Sequence, residues 1–144
     1  MLFSSILVAY DGSQIADIAL QKALELAKLD SSIQIDLIHV YKFPVYALGE
    51  VVWTNSASMN DSIYQHAEQV VKMVEDKLTE LPNPHHVELR EGDPAKEIIR
   101  YARERSSDLI IIGNRGHNAL EEIMLGSVSH NVVQHSPMPV LVIR

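Results

Sequence analysis

Apolar and polar residues follow one another along this chain in blocks that predict strand and helix by turns. Ile6-Leu7-Val8-Ala9-Tyr10 is a short apolar run that stops at Asp11-Gly12-Ser13, the pattern of a buried strand entering a turn. Ser13 is placed to cap a following helix, in which Ala16, Ala19, Ala23 and Ala27 recur at spacings of three and four. Small residues on that face let a helix lie close to a sheet. Ile33 to Tyr41 alternates and then turns apolar, a second strand. Asp61 to Leu81 carries Ile63, Ala67, Val70, Val74, Leu78 and Leu81, a helical stripe that Pro82 and Pro84 bring to an end. Val87 to Arg90 is a short third strand. Pro94 suits the first turn of a helix whose apolar face is Ile98, Ile99 and Ala102. Asp108 to Ile112 is a fourth strand, with the near-continuous β-branched content of a strand covered on both faces. Val128, Val132 and Val133 mark a last helix, and Pro139 to Ile143 a fifth strand. Alternation of this kind predicts an α/β domain with a mostly parallel sheet in a doubly wound arrangement. Only Phe43 to Asn60, with Pro44, Gly49 and the one tryptophan, Trp53, resists assignment. It reads as a loop of unusual length, functional or mobile, with Trp53 either a lid residue or an apolar anchor.

Composition narrows the class. A chain of 144 residues predicts one domain, 1–144, large enough for a core without covalent staples. It has no cysteine, which removes disulfides and thiolate metal sites and fits a reducing, cytoplasmic compartment. The opening residues lack a basic segment and meet Asp11 too early for a secretory signal. No stretch approaches the ~20 apolar residues of a membrane span. A net charge of −7 argues against nucleic acid or an anionic membrane as partner, yet leaves room for a small anion held by backbone dipoles.

The candidate chemistry lies in glycines. Gly113-Asn114-Arg115-Gly116 follows the fourth strand; nine residues later Gly126-Ser127 opens the last helix. A strand that runs into a glycine loop and then a helix N-terminus is suited to phosphate. Glycine admits positive φ and close backbone approach, and free N–H groups and the helix dipole favour an anion. Gly12 and Gly92 follow the first and third strands. In a parallel sheet these ends share one edge, where open α/β sheets bind ligands at the reversal of strand order. Asp11, on that edge, is placed to accept hydrogen bonds from a ribose or base, or is simply a turn residue.

Taken together these segments resemble the universal stress protein family. Val8-Ala9-Tyr10-Asp11-Gly12-Ser13 is similar to its opening strand and turn, His39-Val40 to the end of its second strand, and Glu91-Gly92-Asp93-Pro94-Ala95 to its G-x-P-A segment. Gly113 to Ser129 matches its G-x2-G-x9-G-[ST] nucleotide motif, and Pro139 to Arg144 resembles its closing strand. The resemblance implies a five-stranded parallel sheet with helices on both faces, of the adenine-nucleotide-hydrolase type. It implies the ATP-binding class of the family, a stress-response module with Mg²⁺ or Mn²⁺ carried on the phosphates, and a homodimer formed through the last strand. Carried over by position, Asp11 and Val40 would face adenosine, with Ala9 and Ile112 in the same nucleotide-binding set. Gly113, Arg115, Gly116, Gly126, Ser127, Val128 and Ser129 would face ribose and phosphates. Glu121 and Glu122, in the spacer, would repel phosphates if they turned toward them.

Other classes fit less well. There is no S-G-G-x-D-S loop and no Walker A pattern, and no residue stands out as a general base, so no catalytic residue is assigned; slow ATP hydrolysis is the alternative activity. A phosphoacceptor domain would need an acidic pair after the first strand, where Asp11 stands alone. The seven histidines show no metal-ligand spacing: His85 and His86 are adjacent on a strand, His130 and His135 five apart on a helix. Surface or loop positions are expected for them all.

Overall fold

The structure, a computed structural model, describes residues 2–115 and 125–144. Its elements in chain order are β1 Ser5–Ala9, α1 Gln14–Ala27, β2 Gln34–Tyr41, β3 Val45–Leu48, β4 Val51–Thr54, α2 Ala57–Leu78, β5 His85–Glu91, α3 Pro94–Glu104, β6 Leu109–Gly113, α4 Ser127–His135 and β7 Val140–Ile143. The five long-range strands pair in parallel in the order β5-β2-β1-β6-β7. From β1 the chain steps outward through β2 to β5, then returns across the sheet to β6 and steps out again to β7. Right-handed crossovers therefore put α1 and α2 on one face and α3 and α4 on the other, and the expected doubly wound α/β domain is the one observed.

Period-two alternation divides the strand side chains between two cores. Ile6, Val8, Ile35, Leu37, Leu109 and Ile111 face α1 and α2, where they meet Ala19, Leu20, Ala23, Val70, Val74 and Leu78. Leu7, Ala9, Ile38, Ile110 and Ile112 face α3 and α4, against Ile98, Tyr101, Ala102 and Val132. The alanine face of α1 is wholly buried, as its spacing predicts. Three helices start on side-chain caps: Ser13 Oγ accepts from Ala16 N–H, Ser56 Oγ from Met59 N–H and Asp93 from Lys96 N–H, each satisfying a first-turn donor. Asp36 is the polar exception within β2. It is fully buried, and its carboxylate is held by Arg105 Nε at 2.9 Å and Gln34 Nε2 at 2.9 Å. Paired this way, a buried charge is tolerated.

Three expectations change. The segment 43–60 is not a structureless loop: β3 and β4 form an antiparallel hairpin, and α2 begins at Ala57 on the Ser56 cap. Gly49, at φ +61°, supplies the positive φ that a two-residue hairpin turn needs at its first position. Trp53 anchors nothing in the core; it is exposed and stacks on Tyr46 with ring centroids 6.2 Å apart. The third parallel strand, β5, starts at His85 rather than Val87.

Candidate functional site

Strand order reverses between β1 and β6, so the connections leaving their C-terminal ends diverge and leave a crevice at that edge. On the β1 side, Tyr10 extends the strand by donating its N–H to Ile38 O at 2.9 Å, and its own carbonyl accepts from His39 Nδ1 at 2.8 Å. A carbonyl only accepts, so Nδ1 carries the proton. His39 lies on β2 and is buried, which corrects its expected surface or loop position: alternation along β2 sends its ring inward, and it fixes the chain one residue before Asp11. Asp11 is half-buried, and its Oδ1 accepts from Ser13 N–H at 2.9 Å. This is the turn role, built across Gly12 at φ +81°.

On the β6 side the glycines work differently from the sequence-based expectation. Neither Gly113 nor Gly126 has a positive φ. A β-carbon at Gly113 would lie 2.9 Å from Ile15 Cγ2, and one at Gly126 would lie 3.2 Å from Asn114 O and 3.3 Å from Arg115 Cα. Their missing side chains admit α1 and the loop backbone. Gly92, although on the same edge, follows β5, three strand spacings or about 14 Å from β6, and serves the entry to α3.

Asn114 organises this side. Its N–H donates to Ile143 O at 2.7 Å, while its carbonyl accepts from Gly126 N–H at 2.5 Å and from Ser129 Oγ at 2.8 Å. The sequence motif treated Asn114 as a spacer, yet its side chain is buried and its Oδ1 has no hydrogen-bond partner. Ser129, expected to offer its hydroxyl to a ligand, is buried and donates it to the Asn114 carbonyl instead. Ser127 is exposed at the first position of α4, and Arg115 is exposed where the loop begins. Gly126 is the N-cap of α4 and supplies no side-chain hydrogen bond, and the first turn holds no acidic residue. Its N–H groups thus lack the side-chain acceptor found at α1, α2 and α3. Gly116, and Glu121 and Glu122 of the spacer, lie outside the described residues.

The apolar part of the expected site comes together. Ala9, Ile112, Val40 and Val128 belong to one cluster on the α3–α4 face; Ala9 and Ile112 are buried within it, while Val40 and Val128 keep part of their surface. Among the described residues the crevice thus has an apolar wall, the Asp11 carboxylate, an orphaned acceptor at Asn114 and a helix N-cap, Gly126, that makes no side-chain hydrogen bond. Among the described residues no group of three or more His, Asp or Glu side chains is arranged to hold a metal ion, and no helix is long and apolar enough to cross a membrane.

A universal stress protein of Bacillus subtilis, YxiE, is 34% identical over 99% of this chain and 100% of its own. The universal stress protein UspA from Lactobacillus plantarum superposes with a TM-score of 0.80 at 25% identity, covering 100% of this chain and 99% of that one. A family protein from Arabidopsis thaliana, solved with AMP bound, shares the fold at 22% identity and a TM-score of 0.69, over 97% of this chain and 90% of its own. The sequence matches the family itself from residue 3 to residue 144, and the chain belongs to the universal stress protein family.

Proposed function

We propose that this chain binds ATP in the crevice between β1 and β6 and works as a nucleotide-dependent stress-response module in the cytoplasm rather than as an enzyme. The observation that carries the reading is the bare first turn of α4, beside the loop leaving β6 at the reversal of strand order. First-turn N–H groups that receive no side-chain hydrogen bond from the N-cap, together with the positive end of the helix dipole, suit phosphate oxygens there. The other parts fit the rest of the molecule. Val40 and Val128 offer an apolar surface to a base, and Asp11 an acceptor to ribose hydroxyls. The buried Asn114 Oδ1 accepts a hydroxyl or amine donor rather than an anion. That a protein of the same fold was solved with AMP bound supports a nucleotide as the ligand. Mg²⁺ or Mn²⁺ would arrive on the phosphates. Among the described residues the carboxylate of the site, Asp11, is engaged in its turn, which supports a binding role for it. A homodimer through β7 completes the proposal.

The test is calorimetric titration of Mg-ATP into wild type and Ser127→Asp. A carboxylate in the first turn of α4 favours the helix but opposes phosphate. We expect unchanged or higher thermal stability with affinity at least ~10-fold weaker, the scale of one charge-assisted contact. Gly116→Val, in the same motif, should also weaken binding. Equal affinity in Ser127→Asp and wild type would remove the phosphates from this helix end.

A further inference from the structure

The β3–β4 hairpin has no counterpart in the site and no cover. All eight of its strand residues are exposed. A two-stranded hairpin with nothing packed on it is marginal in water, and this one presents large apolar side chains. Its register pairs Tyr46 with Trp53 and Leu48 with Val51, which places these four on one face; Val45, Ala47, Val52 and Thr54 make the other. The first face is the larger, and its two rings are already stacked.

We propose that this face, Tyr46, Leu48, Val51 and Trp53, docks on the same face of a second copy of the chain, about a two-fold axis. Three observations select that occupant. Tyr46, Leu48, Val51 and Trp53 are 44–75% exposed, so this face offers on the order of 500 Å² per copy, about 1,000 Å² for the pair, the low end of what a specific interface buries and at the upper end of the patches that monomers leave bare. Charge is the second. A two-fold contact sets each group against its own copy, and a chain of net charge −7 repels itself almost everywhere, yet between Phe43 and Asn60 the only charged residue is Glu50, in the turn. A charged partner would find nothing to pair with, and an anionic membrane would be repelled. Composition is the third: Trp and Tyr are among the residues that dominate interface energetics.

Trp53 is the only tryptophan, so its fluorescence reports on the hairpin alone. In the full chain, its emission should move to shorter wavelength as protein concentration rises, in step with association seen by sedimentation velocity. Tyr46→Glu keeps the reporter and, on an exposed ribbon, leaves the fold intact by circular dichroism; it should raise the concentration for half-association at least ~10-fold. A dimer formed only through β7 would sediment as a dimer with Trp53 emission fixed at the exposed-indole wavelength, and that result overturns the proposal. So does an emission shift that appears only when phosphatidylcholine vesicles are added, which would make lipid the occupant, or a shift with concentration that Tyr46→Glu leaves unchanged.

Discussion

Gly113 at the end of β6 and Ile15 in the first turn of α1 lie so close that a β-carbon on the glycine would sit 2.9 Å from Ile15 Cγ2 and 3.0 Å from Cγ1. Gly113→Ala should therefore destabilise the fold by ~1–3 kcal/mol, the usual cost of overpacking, seen as a lower urea midpoint with unchanged slope. Adding Ile15→Ala should recover most of that loss, a coupling that a double-mutant cycle measures. A wild-type midpoint in Gly113→Ala would mean that α1 yields without strain.

Asp11 separates a binding module from an enzyme. Asp11→Ala should weaken ATP binding by ~1–3 kcal/mol, the range for a hydrogen bond to a charged group, with any slow turnover at saturating ATP left unchanged. Asp11→Asn keeps an oxygen for the Ser13 N–H and should lose less. Single-turnover assays at full occupancy decide the matter: a fall of ~100-fold or more in Asp11→Ala would assign the carboxylate to chemistry.

The outermost strand β7 carries Leu141 exposed and Val140, Val142 and Ile143 half-buried, and an uncovered apolar edge invites pairing. Leu141→Glu should remove the β7 contact and lower the mass of the assembly in sedimentation equilibrium, while Trp53 emission, which reports on the hairpin, stays as in wild type. A dimer unmoved by this substitution would place the contact elsewhere.

Acid should loosen the seam between β1 and β6. Burial alone would raise the Asp108 carboxyl, but hydrogen bonds from Ser4 N–H, Ser4 Oγ and Ser5 N–H outweigh it and hold it below its ordinary value of 3.8. A depressed native value stabilises the fold fully above the unfolded value, and the contribution is lost as pH falls through the native one. Asp108→Asn should cost ~1–2 kcal/mol at neutral pH and less in acid, as pH drops below 3.8 and through the depressed native value. Urea titrations of both proteins at neutral pH and in acid test this; a gap as large in acid as at neutrality would contradict it.

The parallel sheet and its helices were legible because burial enforces periodicity. The alanines of α1 and the stripe from Ala67 to Leu78 are hidden where their spacing places them. The hairpin lacks that constraint. Both faces of β3 and β4 are apolar and exposed, so Val45 to Trp53 shows no alternation; the readable signal was Gly49-Glu50, a two-residue Gly-X turn between two β-prone runs. In the site, Ala9, Val40, Ile112 and Val128 share one apolar cluster, although the resemblance set Val128 with the ribose and phosphates. The packing roles of Gly113, Gly126 and Ser129 were not legible, because a spacing motif records which residues recur and not which neighbours press on them. His39 and Asn114 escaped for a related reason: each acts through backbone groups of distant chain, Tyr10 O for one and Ile143 O and Gly126 N–H for the other.

The two-sided hydrogen bonding of Asn114 makes it a joint between the crevice and the rim of the sheet. One peptide flank is fastened to the end of β7, the other to the start of α4, and the turn from α4 into β7 is locked by Ser136 Oγ donating to Met138 O while it accepts from Met138 N–H. Cutting away the last strand to study assembly would release the Asn114 N–H and disturb the ligand edge with it. An exposed side chain such as Leu141 therefore probes the proposed assembly without touching this joint, whereas truncation disturbs both edges at once.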